Sequence, residues 1–361
     1  MSAGPRGKKR SLLLYSMRTG FARTKEKIHE FRHDLVIAAR GRGTESGGGG
    51  KSPRGRERSL PGVLRRAEKC ATMEKIGSRD YRIRRKRSGN MADKTERIGF
   101  LGFGQMGSAI AEGLAEFSPD VKDGTLRMAA WAPHGDKLKK RIEDGGLPVE
   151  ICSSPRELAE TSDWILLAMK PDQLAGAAEG IRDLLAGKRV ISVVNAVRLE
   201  KLRKILGDGP RIQYVLPNTP MKVGAGVALF EEETGLTEDE LARAKRWFSS
   251  IAEVVVLPGE KIAAAASLSG CAPAFFFMAA EALGDAGVKH GLKRADAYRL
   301  AAAVMSGAGS LLAEELKAGA HPGALKDAVC SPGGTTIRGV SSLESDGFRS
   351  AWIKAVDATL G

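Results

Sequence analysis

The chain has 361 residues, 42% of them hydrophobic, which is enough for two or three domains with a sizeable core. It has no uninterrupted run of about 18 apolar residues, which argues against an integral membrane protein. Its four cysteines lie far apart without a CxxC pair, which argues against a disulfide framework or a cysteine zinc site. Residues 1–90 contain 25 basic and 8 acidic residues, whereas residues 91–361 have a net charge of −3, so the overall charge of +14 does not indicate a nucleic-acid-binding domain.

Residues 1–96 are predicted to be a basic, disordered extension, because apolar stretches such as Leu12–Leu14 are too short to offset the entropy of ordering the backbone. Three interpretations are open. The extension is an organelle-targeting peptide, a basic arm for nucleic acid or anionic surfaces, or a stretch upstream of a true start at Met91. We expect a cytoplasmic protein, with organelle targeting as the alternative.

A strand, a glycine turn and a helix follow one another from residue 98 to residue 117. The apolar run Ile98–Leu101 leads into Gly102-Phe103-Gly104-Gln105-Met106-Gly107, and apolar residues then recur at helical spacing. In such a turn Gly102 bends the chain tightly, Gly104 lets a pyrophosphate approach the backbone, and Gly107 lets helix and strand pack closely. The alternative is an ordinary glycine-rich turn, but the flanking strand and helix favour a dinucleotide site that comprises Leu101 to Gly107.

The second predicted strand, Thr125–Trp131, bears on the choice of cofactor. A site that prefers NAD usually has an acidic residue at the end of this strand, which binds the ribose 2′-hydroxyl. Here Ala132, Pro133 and His134 follow, with Lys137 nearby. The absence of an acid at this point predicts NADPH, with NADH as the alternative, and places Ala132 and His134 near the cofactor. The other interpretation of these residues is a solvated loop.

Strands and helices continue to alternate up to Pro258. The predicted elements are strand Trp164–Met169, a helix that reaches Leu185, strand Val190–Val194, helix Leu199–Leu206, strand Ile212–Leu216, a further piece over Gly224–Phe230, a helix capped by Thr237 and Glu240, and strand Val254–Leu257. This alternation predicts an α/β fold with a parallel sheet covered on both faces, and a Rossmann-like dinucleotide-binding domain over residues 97–258.

Ligands of such sheets lie beyond the carboxyl ends of the strands. Three segments are expected to converge there: the glycine turn, Ala168-Met169-Lys170-Pro171 and Pro217-Asn218-Thr219-Pro220. We predict that Lys170 contacts a cofactor phosphate or ribose, although it would also serve to cap the strand end. Asn218 offers an amide where the nicotinamide should lie, and its alternative is a turn between two prolines.

After Pro258 the sequence becomes helical and rich in alanine, and residues 259–361 are predicted to form a dimerisation and substrate domain. The expected helices are Glu260–Leu268, Pro273–His290, Arg294–Lys317, Pro322–Val329, Thr335–Glu344 and Gly347–Leu360. Segments such as Arg299–Leu312 are apolar nearly all round, so they need partners on several sides. We therefore expect a homodimer in which helices of both chains pack together.

Two glycine-containing segments in this part are expected to be loops that start helices. One is Ser269-Gly270-Cys271-Ala272-Pro273, and the other runs from Ser331 to Thr336. Backbone N–H groups and hydroxyls at a helix N-terminus suit an anion such as a carboxylate. Plain capping of the helix is the alternative for both.

Taken together, these motifs resemble those of the pyrroline-5-carboxylate reductases, from Arg97 to the end of the chain. The most specific segment is Leu325-Lys326-Asp327-Ala328-Val329-Cys330-Ser331-Pro332-Gly333-Gly334-Thr335-Thr336. The resemblance implies reduction of 1-pyrroline-5-carboxylate to L-proline by NAD(P)H, the last step of proline synthesis. It also implies a dimer that assembles in some members into a decamer, and neither nucleic acid, a membrane nor a metal is expected as a partner.

The resemblance also implies which residues form the site. Cofactor binding is assigned to Leu101–Met106 and Ala168–Lys170. Substrate binding is assigned to Ser331, Gly333, Gly334, Thr335 and Thr336. A protonated imine accepts hydride readily, so the chemistry needs little beyond positioning and a hydroxyl for the ring nitrogen; we predict that Thr336 supplies it. The rivals are a related imine or hydroxyacid reductase, a catalytically silent nucleotide-binding relative, and a nucleic-acid binder that acts through residues 1–90.

Overall fold

The computed structural model describes residues 95–360, so the predicted extension, apart from its last two residues, lies outside the described residues. The strands are β1 (Glu96–Leu101), β2 (Leu126–Trp131), β3 (Val149–Ile151), β4 (Trp164–Leu167), β5 (Arg189–Ser192), β6 (Arg211–Pro217), β7 (Gly226–Glu231) and β8 (Ala252–Leu257). The helices are α1 (Gln105–Phe117), α2 (Pro119–Lys122), α3 (Gly135–Gly145), α4 (Pro155–Thr161), α5 (Leu174–Glu179), α6 (Leu199–Leu206), α7 (Glu238–Ser249), α8 (Ile262–Ala266), α9 (Ala272–Lys289), α10 (Arg294–Lys317), α11 (Pro322–Ala328), α12 (Thr335–Ser345) and α13 (Phe348–Asp357). Short 3₁₀ turns cover Pro171–Gln173, Arg182–Leu184, Thr219–Val223 and Gly259–Lys261, and a π-helical turn covers Ser267–Cys271.

The eight strands form one sheet in the order β3-β2-β1-β4-β5-β6-β7-β8. Strands β1 to β6 are parallel, whereas β7 is antiparallel to β6 and parallel to β8. Only the 3₁₀ turn Thr219–Val223 separates β6 from β7, and a connection this short cannot cross back over the sheet. The α/β class with a Rossmann-like sheet and a helical C-terminal part is therefore confirmed, with two strands, β7 and β8, that run opposite to the other six.

Helices cover both faces of the sheet, and each face has its own core. On one face Ile110 and Leu114 of α1 pack with Trp247 and Phe248 of α7. The other face buries Leu158 of α4 together with Leu202 and Leu206 of α6. Strand residues 164–167 are fully buried between the two cores, which explains why this strand is uniformly apolar and does not alternate.

The amino-terminal edge of the sheet is closed by charged side chains. Glu96, Arg189 and Arg211 are the first residues of β1, β5 and β6. Arg189 and Arg211 both bind Glu240 of α7, with nitrogen–oxygen distances of 2.8 and 2.7 Å, and Arg243 of α7 binds Glu96 at 2.6 Å. The carboxyl-terminal edge holds the glycine turn instead, so the two edges of the sheet have different chemistry.

The helical segment begins with one continuous run of helix over Gly259–Lys289, which starts as a 3₁₀ turn and contains the π-helical turn. By length and composition this helix is apolar enough to cross a membrane, and only 11% of its most apolar window is buried. Phe277 and Met278 are each 69% exposed. The segment therefore presents a large apolar surface in the single chain.

Candidate functional site

The glycine turn lies between β1 and β4, where the strand order reverses and such sheets bind ligands. Gly102 has a φ of +93°, and a Cβ there would lie 2.7 Å from the carbonyl oxygen of Ala168. A Cβ on Gly107 would lie 2.7 Å from the carbonyl oxygen of Gly102. The backbone N–H of Ala168 donates to Leu101 at 2.9 Å. Two of the three predicted strand-end segments thus meet here, and glycine is required at both ends of the turn.

Gly104 differs from the other two glycines because a Cβ on it would meet no atom within 4 Å. This exposed residue is the N-cap of α1, whose first N–H groups have no partner inside the helix. Leu101 and Phe103 bury their side chains in the core, so they can offer only backbone atoms to a ligand. An open space above free N–H groups and a positive helix end fits a pyrophosphate.

Arg141 of α3 holds the turn from the side. Its Nη1 donates to the carbonyl oxygen of Phe103 at 3.0 Å and to Oγ of Ser108 at 3.4 Å. The sequence analysis missed this residue, although Arg141 lies on the helix between the buried Leu138 and Ile142, a position that turns it towards the domain. The guanidinium thus fixes the turn and adds positive charge to it.

The loop after β2 is open. His134 is the exposed N-cap of α3 and its side chain makes no capping hydrogen bond, and Lys137 is exposed one turn further on. The acidic residue nearest the strand end is Asp136, in the first turn of α3. The strand end itself, Ala132, carries no charge that would repel a 2′-phosphate.

The segment after β4 presents Lys170, an exposed residue that begins the 3₁₀ turn Pro171–Gln173. Its backbone N–H donates to Oε1 of Gln173 at 3.4 Å. Met169 is half-buried against the core between α4 and α6. The ammonium of Lys170 is therefore free to reach an anion outside the sheet edge, and its contact with a cofactor stays a prediction.

Asn218 is only 7% exposed, and its amide is engaged inside the protein. Oδ1 accepts a hydrogen bond from the backbone N–H of Val227 at 2.8 Å, and Nδ2 donates to the carbonyl oxygen of Ser269 at 2.9 Å. One N–H of the amide is left for a ligand. The predicted contact between Asn218 and the nicotinamide stays a prediction, and the link to Ser269 was not foreseen.

The prediction of a loop over Ser269–Pro273 in the helical segment is wrong. Ser269 to Pro273 do not start a new helix, because the π-helical turn Ser267–Cys271 joins α8 to α9 without a break. The N–H groups of this segment lie inside a helix instead of at its free end. The segment therefore does not offer the N-terminal anion site that the sequence suggested.

The second loop has the expected form. Gly333 has a φ of +67°, and a Cβ on Gly334 would collide with Oγ of Ser331. The N–H of Gly334 donates to the carbonyl oxygen of Ser331 at 3.0 Å, and α12 begins at Thr335. Because Gly334 fills the N-cap position, neither threonine occupies it, and Thr335 and Thr336 are exposed in the first turn.

Metal ligation has no evident place in this site. Within residues 95–360, no group of three or more histidine, cysteine, aspartate or glutamate side chains is close enough to hold a metal ion.

Comparison with known proteins gives the family. The helical segment, residues 259–361, matches a model described as pyrroline-5-carboxylate reductase dimerisation, and residues 97–196 match one described as NADP oxidoreductase, coenzyme F420-dependent. The chain is 40% identical over 268 residues to the pyrroline-5-carboxylate reductase of Treponema pallidum, which covers 73% of this chain and 98% of the relative. The chain belongs to the pyrroline-5-carboxylate reductase family. The Escherichia coli reductase is 36% identical over 72% of this chain and 94% of its own length.

Solved structures of pyrroline-5-carboxylate reductases support the same family membership. The chain superposes on the Plasmodium falciparum pyrroline carboxylate reductase, solved with NADP bound, with a TM-score of 0.63 and 30% identity over 74% of this chain and 96% of that one. The Coxiella burnetii pyrroline-5-carboxylate reductase gives the same TM-score and identity. Membership of the reductase family, together with the match to the dimerisation model, indicates that this reductase forms an oligomer, and the exposed apolar helices lie in the matched segment.

Proposed function

We propose that this chain reduces 1-pyrroline-5-carboxylate to L-proline with hydride from a nicotinamide cofactor, the last step of proline synthesis. The observation that carries this conclusion is similarity to reductases of this name along nearly their whole length, up to 98% of the Treponema pallidum relative. The glycine turn, with Gly104 open above a helix end, fits a dinucleotide. When bound, the reduced nicotinamide supplies a hydride to the C=N carbon, and a proton on the ring nitrogen balances the charge.

The proposed cofactor site joins the turn with the neighbouring strand ends. Backbone N–H groups of Gln105, Met106 and Gly107 bind the pyrophosphate, beside Leu101, Gly102, Phe103 and Gly104. Ala168 and Met169 line the cleft, and the exposed Lys170 neutralises a phosphate. Ala132 and His134 lie at the adenosine end.

NADPH is the cofactor that we propose for this site. An uncharged strand end at Ala132 with His134 and Lys137 nearby accommodates a 2′-phosphate, whereas a site selective for NADH would place a carboxylate there. Asp136, one turn into α3, is the acid that would weaken this preference if it reached the ribose.

The proposed substrate site is the start of α12. Its free N–H groups, after Gly333 and Gly334, suit the substrate carboxylate, with Ser331 and Thr335 as hydroxyl donors. A protonated imine needs an acceptor for its N–H, and we assign this role to the hydroxyl of Thr336. The side chains then orient the ring and exclude water, which brings the reacting atoms within about 3–3.5 Å.

Two further points are part of the proposal. The chain forms a homodimer, and such dimers assemble into a decamer in some members of the family. The expected compartment is the cytoplasm. We propose no nucleic-acid partner. We propose no membrane partner either, because the apolar surface of Gly259–Lys289 lies within the part that matches the dimerisation model.

The decisive test is an assay of NADPH oxidation by the full chain with pyrroline-5-carboxylate, compared with other cyclic imines and with ketoacids. We expect kcat/KM to be highest for pyrroline-5-carboxylate and to collapse when Gly334 is replaced by valine, which would displace the Ser331 hydroxyl and crowd the backbone carbonyl of Ser331. A broader imine reductase would show similar kcat/KM values across the imines, and a catalytically silent relative would bind NADPH without oxidising it.

A further inference from the structure

Asn218, at the carboxyl edge of the sheet, joins the sheet to the helical segment through a part-buried hydrogen bond to the backbone of that segment. It follows the last residue of β6, and Oδ1 is held by the N–H of Val227 on β7, at 2.8 Å. This bond fixes the amide in the sheet and points Nδ2 at the carbonyl oxygen of Ser269, 2.9 Å away. The side chain is therefore an oriented link between two parts of the molecule.

Ser269 can accept this bond because of a proline. In an α-helix the carbonyl of Ser269 would accept from the N–H of residue 273, but that residue is Pro273, which has no N–H. The chain forms a π-helical turn over Ser267–Cys271 at this point. Such turns inside α-helices occur frequently at functional sites. Pro273 thus removes the α-helical donor for this carbonyl, and Asn218 supplies one from the sheet edge.

The link reaches the rest of the helical segment through aromatic packing. Helix α9 begins directly after the π-helical turn, and its Phe275 and Phe276 have ring centroids 6.2 and 5.3 Å from that of Trp352 on α13. Helix α13 in turn packs on α12. The position of the π-helical turn relative to the sheet therefore sets the position of the helices that follow it.

We propose that Asn218 is a positioning residue for hydride transfer, which holds the helical segment in register with the sheet edge. The proposal rests on the proposed function, in which the sheet carries the cofactor and the helical segment carries the substrate. A displacement of about 1 Å between reacting atoms costs up to roughly a hundredfold in rate. Loss of the link should therefore slow the chemical step while cofactor binding to the sheet persists.

The test compares Asn218→Asp with Gln213→Glu in the full chain. Both changes replace a buried amide by an acid, one directly after β6 and one within it, but Nε2 of Gln213 donates to carbonyl oxygens of Tyr214 and Glu231 within the sheet, at 2.8 and 2.9 Å. For Asn218→Asp we expect kcat to fall about ten- to a hundredfold, with NADPH affinity within about twofold of the original. The deuterium isotope effect on kcat, measured with NADPH labelled at the transferred hydrogen, should rise. Gln213→Glu should lower the melting temperature and leave the isotope effect unchanged.

A second variant tests the same link without touching Asn218. Pro273→Ala restores an N–H four residues after Ser269, which competes for its carbonyl, and we expect the same fall in kcat and rise in isotope effect. Loss of NADPH binding in Asn218→Asp would show that the amide is a cofactor ligand and would overturn the proposal. Unchanged kcat and isotope effect in the folded Asn218→Asp or Pro273→Ala variant would overturn it too. The unsubstituted chain, assayed with pyrroline-5-carboxylate in the same series, tests the proposed function separately.

Discussion

The sheet and the helical segment use apolar side chains in opposite ways. In the sheet Phe100, Trp164 and Phe230 are completely buried, and charged pairs close its amino edge. In the helical segment Ile262 is buried, but beyond it the buried side chains are small, such as Ala297 and Ala301, and many large apolar residues are exposed. The sheet therefore completes its core within one chain, whereas the helical segment, which matches the dimerisation model, leaves large apolar side chains uncovered in the single chain. Cofactor binding should thus depend on one chain, and helical stability and catalysis on the assembly.

The most severe test of this contrast is Phe277→Arg. Phe277 is 69% exposed on α9, in the part that matches the dimerisation model. Burying an unpaired guanidinium in an interface costs several kcal/mol, so we expect the dissociation constant of the assembly to rise at least about a hundredfold. Light scattering after size-exclusion chromatography measures the assembly, and reductase activity should fall with it.

The matched control is Ile151→Arg, on the edge strand β3 of the sheet. Ile151 is 41% exposed and is also a large apolar residue. We expect assembly, activity and melting temperature to change little. If both variants dissociate the oligomer, or neither does, the assignment of the interface to the helices is wrong.

Gly104→Val should separate cofactor binding from folding. A Cβ at this position meets no atom within 4 Å, so valine should not clash, but its branched side chain would fill the space proposed for the pyrophosphate. We expect the Kd for NADPH, measured by titration, to rise more than about a hundredfold, or ~3 kcal/mol, with assembly unchanged. Gly102→Ala is the contrasting variant, because its positive φ and the contact with Ala168 should lower the melting temperature. Unchanged NADPH affinity in Gly104→Val would remove the turn from the site.

Thr336→Val tests the chemistry on the helical side. It preserves shape and removes one hydrogen bond to a charged group, worth about 1.5–3 kcal/mol, so kcat/KM should fall roughly ten- to a hundredfold. Binding of NADPH should barely change, because the proposed cofactor site lies on the sheet. A fall in melting temperature with intact kcat/KM would contradict a role in binding the ring nitrogen.

Glu240→Gln tests the closed edge of the sheet. Burial by itself raises the pKa of Glu240, but hydrogen bonds from Arg211, the backbone of Thr237 and Arg189 outweigh it and lower the pKa from 4.5 to about 2. A lowered pKa stabilises the fold above the unfolded value, and this stability is lost as the pH falls from about 4.5 to about 2. We expect the variant to lose on the order of 1–3 kcal/mol at pH 7.

The measurement is thermal melting followed by tryptophan fluorescence over a pH series. The difference between the two proteins should be constant above about pH 5.5 and should shrink below about pH 4.5. A difference in melting temperature that does not depend on pH would mean that the charge of Glu240 does not contribute to stability.

The smallest expected effect is on cofactor choice. Ala132→Asp adds a carboxylate at the end of β2, which attracts a ribose 2′-hydroxyl and repels a 2′-phosphate. The ratio of kcat/KM for NADPH to that for NADH should fall about tenfold, or ~1.4 kcal/mol. Ala132→Asn, which lacks the charge, is the control, and an unchanged ratio in Ala132→Asp would place the preference elsewhere.

Local signals predicted much of the fold. Helices α6 and α10 have the predicted ends, and both hydrogen bonds of the predicted capping box between Thr237 and Glu240 are present. These features depend on spacing and on side chains three residues apart, so the sequence contains them directly. The positive φ at Gly102 and the open space at Gly104 follow from the same kind of local rule, whereas the binding of a pyrophosphate there stays a prediction.

Features that depend on distant contacts were not predictable. Strand β3 has three residues, of which only Val149 is buried, so it carries no apolar pattern. The single helix expected to end at Leu185 is α5 between two 3₁₀ turns. Arg141 contacts Phe103, 38 residues away, and Asn218 contacts Ser269, 51 residues away. Packing of helices and loops in the folded chain brings these pairs together, and no local sequence pattern predicts such contacts.

The π-helical turn makes the number of residues between Ser267 and Cys271 important for the direction of the helix that follows. A π-turn holds one residue more than an α-turn, and one residue in an α-helix corresponds to a rotation of about 100° and a rise of about 1.5 Å. The extra residue therefore decides which way the face containing Phe277 points relative to the sheet. A deletion as small as Gly270 would turn that face by more than a quarter of a revolution. Relatives that keep the same mode of assembly should tolerate substitutions between Ser267 and Cys271 far better than a change in the number of residues there.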